Sequence, residues 1–383
     1  MSAAVDVSAL RVGVRELALS FEQSYWRKCD ADREYPEQFV QALTDAGWLS
    51  VLIPEEYGGG GLGVTEASVI MEEINSTGAS TSACHAQMYT MGAVLRHGTP
   101  EQKQEYLPQI AAGALRLQAF AVTEPDAGSD TTRISTFARR TADGYVVNGR
   151  KMWISRMQHT DLMLLLARTT PRDQVERRTD GLSLFLVDLR QAGGSVRYEP
   201  IDTMVNHETN AVFLDDLELP ADALVGIEGK GFRHVLDGMN AERILLASES
   251  IGDARWFLEK ASAYAREREV FGRPIGDNQG ISFPLARAYA NMHAATLVRD
   301  RAAALFDAGE PAGTDANIAK LLASEAAWEA ANAAMTTFGG YGMAVEYDIE
   351  RKFRESRLYL VAPVSNNLIL NHVAGHVLGL GRS

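Results

Sequence analysis

The chain is short of cysteine, of positive charge and of long apolar runs, and each shortage removes a class of function. Only two cysteines occur, Cys29 and Cys84. They lie far apart with no histidine at metal spacing, which argues against a disulfide framework and against a zinc site or other metal centre. No apolar stretch approaches the roughly 18 residues that a membrane-spanning helix requires. No charged start followed by an apolar stretch marks a secretory leader. The expectation is a cytoplasmic protein with no membrane span. Lys and Arg number 37 against 50 Asp and Glu, a formal net charge of −13. Nucleic acid is disfavoured as a partner, because binding it depends on Lys and Arg neutralising phosphates.

What is present is enough apolar content, 46% of 383 residues, to fill two or three cores. The hydrophobic period changes twice. Residues 8–118 carry helical spacing, as in Phe39 and Leu43, Ile70, Met71 and Ile74, and Met88, Met91 and Leu95. A glycine run from Tyr57 to Gly63 interrupts it. That run lacks the Lys-Ser/Thr ending and the preceding strand of a phosphate loop, so it reads as a flexible connection. Residues 117–122, 144–148, 162–167, 182–187 and 211–214 are short, rich in β-formers and bounded by turn residues. After Pro220 and the glycines at 226, 229 and 231, helical spacing returns over 244–266, 283–306, 316–337 and 367–378. The pattern predicts an α+β fold: an N-terminal all-α domain (1–118), a middle antiparallel β-barrel or sandwich (119–227) and a C-terminal four-helix bundle (228–383). The alanine-rich stretch 323–334 gives one helix a small-residue face suited to close packing.

Two runs carry the chemical signal. The first is Ala121, Val122, Thr123, Glu124, Pro125, Asp126, Ala127, Gly128, Ser129, Asp130; the second is Asn148, Gly149, Arg150, Lys151, Met152, Trp153, Ile154, Ser155. The first reads as a strand that breaks at Pro125 into a turn where hydroxyls and backbone N–H groups can meet a ligand's polar edge. The second places a flat indole after a short polar turn.

Together these runs closely resemble the acyl-CoA dehydrogenase family, with its Thr-Glu-Pro-x-Ala-Gly-Ser-Asp run and, some 30 residues on, a Trp-Ile-Thr segment. The resemblance extends over nearly the whole chain and implies FAD as cofactor. It assigns Thr123 to the flavin ring near N5, Ser129 to the pyrophosphate or substrate, and Trp153 to the ring's flank, with Phe120, Val122 and Gly128 beside them. Ser155 stands where the family usually has Thr and keeps the hydroxyl. Arg268, Phe271, Gly272 and Gln279 match an Arg-x-x-Phe-Gly segment followed by Gln that contacts pyrophosphate and adenine, partly across subunits. Gly339, Gly340 and Gly342 resemble a Gly-Gly-x-Gly turn that lets backbone approach the cofactor. Thr336 replaces the Gln normally found three residues before it. Ser365 and Asn367 complete the implied cofactor set, and the helical bundle implies a homotetramer, a dimer of dimers.

The family's base is a carboxylate in a Tyr-Glu-Gly-Thr segment near the C-terminus. The matching residues are Ala362, Pro363, Val364 and Ser365, so Pro363 removes both the acid and the backbone N–H that helps hold the thioester carbonyl. Isovaleryl and long-chain members carry the base instead just before the Arg of a Glu-Arg helix. Here that helix reads Asn240, Ala241, Glu242, Arg243, and Glu242 occupies the position. Arg243 would orient the carboxylate and Asn240 stands at a CoA-contacting position. Glu249 and Glu355 are weaker candidates.

Three readings follow. The leading one is FAD-dependent dehydrogenation of an acyl-CoA to the trans-2-enoyl thioester, with Glu242 as base and an electron-transferring flavoprotein as acceptor. The second is a flavin monooxygenase or oxidase on the same fold. The third is a non-catalytic acyl-CoA-binding subunit of a mixed complex, which Pro363 favours.

Overall fold

The computed structural model describes residues 7–381. Six helices come first: α1 (Val7–Leu19), α2 (Gln23–Asp32), α3 (Glu37–Asp45), α4 (Val64–Ser76), α5 (His85–His97) and α6 (Pro100–Ala111). Eight strands follow: β1 (Leu117–Ala121), β2 (Phe137–Arg140), β3 (Gly144–Ser155), β4 (Leu162–Arg168), β5 (Leu182–Asp188), β6 (Val196–Pro200), β7 (Thr209–Pro220) and β8 (Leu224–Val225). Then come α7 (Gly231–Glu267), a ribbon of β9 (Glu269–Val270) and β10 (Arg273–Pro274), α8 (Gln279–Asp307), α9 (Gly313–Phe338), α10 (Ile349–Tyr359) and α11 (Asn366–His372). The order of helices, sheet and helices is the α+β fold expected.

The described residues gather into two compact units. One holds the chain up to Phe39, Gly63–Thr81 and everything from Asn240 onward; the other holds Val40–Leu62 and Ser82–Met239.

In the second unit the sheet runs β6-β7-β3-β2-β4-β5-β8, with β1 also paired to β4. Most pairings are antiparallel, but β1 and β2 both run parallel to β4. The reason for β4's unbroken apolar sequence is visible in its packing. Leu162, Leu164 and Leu166 enter a core with Met91, Val94, Leu107 and Ile110 of α5 and α6. Met163, Leu165 and Ala167 enter a second core with Tyr145, Val147, Val212 and Leu214 of β3 and β7. A strand covered on both faces has no solvent side to alternate toward. The start of α6 is fixed by a capping box, Thr99 Oγ1 accepting from Gln102 N at 3.2 Å and Gln102 Oε1 from Thr99 N at 3.0 Å, with Pro100 in the first turn.

The glycine run is not the flexible connection expected from its composition. Gly61 N donates to Ile53 O at 2.8 Å and Leu62 N to Val51 O at 2.7 Å. A Cβ on Gly59 would lie 2.2 Å from the Ile53 carbonyl oxygen. The glycines are there so that backbone can pack on backbone.

In the first unit α8 and α9 pack along their length. The contact is close because α9 buries Ala319, Ala323, Ala326, Ala327, Ala330 and Ala334. The bundle departs from four long helices. The expected helix over 367–378 stops at His372 and continues as one π turn, Val373–Val377. An eleven-residue helix, α10, precedes it where no apolar period predicted one. Its buried side is charged: Lys352 Nζ sits 2.7 Å from Asp253 Oδ1 and 2.6 Å from Glu355 Oε2, and Arg351 Nη1 lies 3.0 Å from Glu355 Oε1. Opposite charges replace the apolar stripe that periodicity looks for.

Candidate active site

In the sheet unit the two signal runs lie side by side. Met152 N donates to Thr123 O at 2.9 Å, tying β3 to the segment that follows β1. Glu124 is 5% exposed and saturated with donors. Its Oε2 accepts from Ser135 N at 2.6 Å and Ser135 Oγ at 2.8 Å; its Oε1 accepts from Thr136 N at 2.9 Å and Lys151 Nζ at 2.9 Å. Lys151 Nζ also donates to Val122 O at 3.0 Å. Burial pushes the Glu124 carboxyl up, but the Lys151 charge and the bonds from Thr136 and Ser135 outweigh it and hold the group at about 2. Burial brings Lys151 down to about 8 against the pull of Glu124. Both groups are therefore charged at neutral pH.

The pairing of β3 with β7 slips between Lys151 and Ile154, and Trp153 in that bulge takes a left-handed φ of 63°. A regular strand would put Trp153 on the same face as Lys151. The bulge turns it outward, and the indole is 57% exposed while Lys151 is buried. Ser155 Oγ accepts from Asn206 Nδ2 at 2.8 Å, so it keeps its proton for donation. Asn206, itself at φ 57°, also donates to Thr209 Oγ1 at 2.9 Å. Its Oδ1 is buried without a partner among the described residues. Val122, Thr123 and Phe120 are half-buried, and Gly128 and Ser129 are exposed. The backbone beside Gly128 is open, with nothing within 4 Å of where a Cβ would stand. An exposed indole, neutral hydroxyls and open backbone suit the flat, polar-edged ring of a flavin.

In the bundle unit Glu242 and Arg243 sit on α7, 4% and 8% exposed. Arg243 Nη1 donates to Asn240 Oδ1 at 3.1 Å, and its Nε is buried with no partner among the described residues. Burial lowers the Arg243 guanidinium, and the Glu242 charge opposes that. The segment carrying Pro363 is held by Lys320 of α9, whose Nζ donates to Val364 O and to Asn366 Oδ1, each at 2.8 Å. Asn366 Nδ2 donates in turn to Ser324 Oγ at 3.1 Å. Ser365 Oγ caps α11 by accepting from Leu368 N at 3.3 Å. Burial brings Lys320 down to about 7, with the like charge of Arg243 adding to the effect and Glu325 opposing it.

Ser365 and Asn367 line a cleft of about 880 Å³ together with Thr336, Trp328, Arg357 and Gly280, the neighbour of Gln279. Arg268 and Phe271 stand apart from that cleft at the β9–β10 ribbon. Phe271 is fully exposed at φ 54° and Arg268 is also exposed. Gly339 and Gly340 follow α9 with open space beside each. Of the weaker base candidates, Glu355 is engaged by Arg351 and Lys352, and Glu249 is completely buried. Sequence reading missed that Lys151 and Asn206 in the sheet unit, and Lys320 in the bundle unit, each brace a segment carrying an expected site residue. For Lys320 the available signal was a lysine between apolar residues inside a helix, where burial demands a partner; Lys151, preceded by Arg150, and Asn206 gave no such signal.

These features suit a flavin-dependent oxidoreductase. Sequence models described as acyl-CoA dehydrogenase N-terminal, middle and C-terminal domains match residues 6–114, 119–217 and 229–378. The chain belongs to the acyl-CoA dehydrogenase family, with FAD as its cofactor. It is 37% identical over 382 residues to acyl-CoA dehydrogenase FadE12 of Mycobacterium tuberculosis, covering 98% of this chain and 96% of that protein. The structure of a glutaryl-coenzyme A dehydrogenase in complex with glutaryl-CoA is similar at TM-score 0.92 and 29% identity, over 100% of this chain and 97% of the other. The FAD complex of PigA matches at TM-score 0.91 and 25% identity, over 99% of both chains. Among the described residues no helix is long and apolar enough to cross a membrane, and no group of His, Cys, Asp and Glu could hold a metal ion.

Proposed function

We propose that the protein dehydrogenates the acyl group of a CoA thioester to the trans-2-enoyl thioester, with Glu242 as the base that takes the α-proton. Bound FAD supplies the acceptor for the β-hydride. The observation that carries the reading is the pair of positions on the bundle. At one, Pro363 supplies neither acid nor N–H; at the other, Glu242 is a buried carboxylate followed directly by Arg243. A buried carboxylate beside a guanidinium has the charge and the shelter that proton abstraction needs. Arg243, fixed by Asn240, orients it, and Asn240 and Ser129 meet the CoA thioester.

On the cofactor side, Thr123, Ser129, Trp153 and Ser155, with Phe120, Val122 and Gly128, take the flavin ring and its linker. Ser365, Asn367 and Gln279, with Gly339, Gly340, Arg268 and Phe271, take the pyrophosphate and adenosine. The exposed Phe271 supports a homotetramer in which the ribbon reaches a neighbouring subunit. An electron-transferring flavoprotein is the partner that removes the electrons. The family matches at 6–114, 119–217 and 229–378 support the three-part division at 118 and 227.

Anaerobic titration of the holoenzyme with a panel of saturated acyl-CoAs tests the reading. Some thioester bleaches the flavin band of the wild type, and Glu242→Gln slows that bleaching by roughly 10²–10⁴-fold while FAD stays bound. FAD that no thioester bleaches would overturn dehydrogenation. That result would favour the other two readings, a flavin monooxygenase or oxidase on the same fold and a silent acyl-CoA-binding subunit, with Pro363 as the supporting observation for the latter.

A further inference from the structure

The carboxylate of Glu124 and the ammonium of Lys151 form an ion pair whose side chains are 4% and 0% exposed. Neither group belongs to the reaction proposed above. Their positions in the chain are informative: Glu124 directly follows Thr123, and Lys151 precedes Trp153 by two residues. Thr123 lies just past the end of β1, so no continuous strand ladder fixes it. What holds this stretch is Lys151 Nζ on the Val122 carbonyl, Met152 N on the Thr123 carbonyl, and four donors converging on the Glu124 side chain. On the other side, the same lysine anchors the inward end of the bulge that turns Trp153 out.

The geometry points to Glu124 and Lys151 as positioning residues for the flavin: the pair sets the spacing between the Thr123 backbone and the Trp153 bulge before the cofactor binds. The proposal rests on the reading of Thr123 and Trp153 as flavin contacts. A buried pair with all its acceptors used is a costly way to gain stability, since an apolar pair of like volume often does as well. Its distinctive contribution is directional. Charge-assisted bonds define where the Val122 carbonyl lies more sharply than a methylene contact does. A face ordered in advance binds its ligand without the entropic cost of ordering it.

The test uses the cofactor-free chain and FAD. Glu124→Gln with Lys151→Met removes both charges, leaves an acceptor for Ser135 and Thr136, and deletes the bond to Val122. This double variant is expected to unfold in urea near the wild-type midpoint yet bind FAD about tenfold more weakly or worse, by the loss of preorganisation. Thr123→Val alone also weakens binding. Combined with the double variant it adds less than the sum, because both act on one contact. Wild-type affinity in the double variant alongside weakened binding in Thr123→Val would overturn the positioning role. If Thr123→Val and Trp153→Phe both leave FAD affinity untouched, the flavin-face reading itself fails, and this inference with it. Hydrogen exchange on the wild type provides a check that needs no variant. The Met152 amide, donor to Thr123, is expected to be protected in the cofactor-free protein; exchange as fast as in an open loop would overturn the proposal.

Discussion

Lys151 and Lys320 are both closed off from solvent, yet one faces a carboxylate and the other a backbone carbonyl and a side-chain amide. Lys320 has no carboxylate within ion-pair distance among the described residues, and the Arg243 charge works against it. Each lysine holds a segment that the family resemblance assigns to the site: Val122–Glu124 for the flavin, Ala362–Ser365 for the base. Where the motif is intact the lysine is neutralised and stays protonated, at about 8. Where Pro363 has replaced the acid, the lysine stands at about 7 and holds the chain through hydrogen bonds to uncharged acceptors. A neutral amine still has two N–H donors, so the hold on Val364 and Asn366 does not require the charge. The first segment is an electrostatic lock; the second is a hydrogen-bonded one.

The sharpest way to break this comparison is to remove one half of the lock. Lys151→Met strands Glu124 as an uncompensated buried charge, which costs about 3–5 kcal/mol. Removing both charges should cost much less. Urea unfolding of the single and double variants decides it, and equal losses would show that charge is not what holds the segment. Acid gives the same answer by a second route. The folded Glu124 carboxyl, at about 2, lies below its ordinary 4.5. Its contribution is therefore fully present above pH 4.5 and lost as pH falls toward 2. The loss is on the order of 3 kcal/mol, and the double variant should not show it.

Lys320→Met is the next largest change. It leaves the Val364 carbonyl and Asn366 Oδ1 short of a donor, at about 1–3 kcal/mol. Its pH dependence has the same sign as that of the Glu124 carboxyl but falls in a higher pH window. The folded Lys320 group at about 7 lies below the ordinary 10.5, so the wild type is penalised while the amine is protonated and gains stability as pH rises above about 7. The cost of the substitution should therefore grow between pH 6 and pH 9, by on the order of 2 kcal/mol. Thermal unfolding at the two pH values measures it; a cost that shrinks with pH would mean that Lys320 acts through its charge.

The order of helices, sheet and helices was legible because hydrophobic period reports burial, and burial follows layer architecture. β4 was readable as a strand because its run is short and apolar. Reading it alone could not show that β1 would pair with it in parallel, since pairing is decided by residues 40 or more positions away. α10 was invisible because Arg351, Lys352 and Glu355 are buried by pairing with each other and with Asp253, which leaves no apolar stripe. The glycine run misled for a related reason: glycine permits both flexibility and close packing, and only the partner, Ile53, distinguishes them. At the site, the motif positions were legible as residue types. What the sequence could not carry was their support. Glu124 read as part of a turn, Lys151 as a strand residue and Lys320 as a point on a helix; their roles exist only once the segments meet.

A third brace, neutral throughout, sets the lower end of the scale. Asn206 holds Ser155 and Thr209 through one amide nitrogen at 2.8 and 2.9 Å, and does so from a left-handed backbone that asparagine tolerates better than most residues. Two causes of loss can be separated here. Asn206→Gly keeps the backbone conformation free of strain and removes only the side-chain bonds. A neutral bond contributes about 0.5–1.5 kcal/mol net, and the unpartnered Asn206 Oδ1 leaves at the same time, so the loss should be about 1 kcal/mol. Asn206→Ala adds the cost of holding a Cβ at positive φ, roughly 1 kcal/mol more. Thermal unfolding should thus rank wild type above the glycine variant and the glycine variant above alanine. If alanine equals glycine, the loop has relaxed out of its left-handed turn, and Ser155 is not held by Asn206 in the way that Thr123 is held by the charged pair.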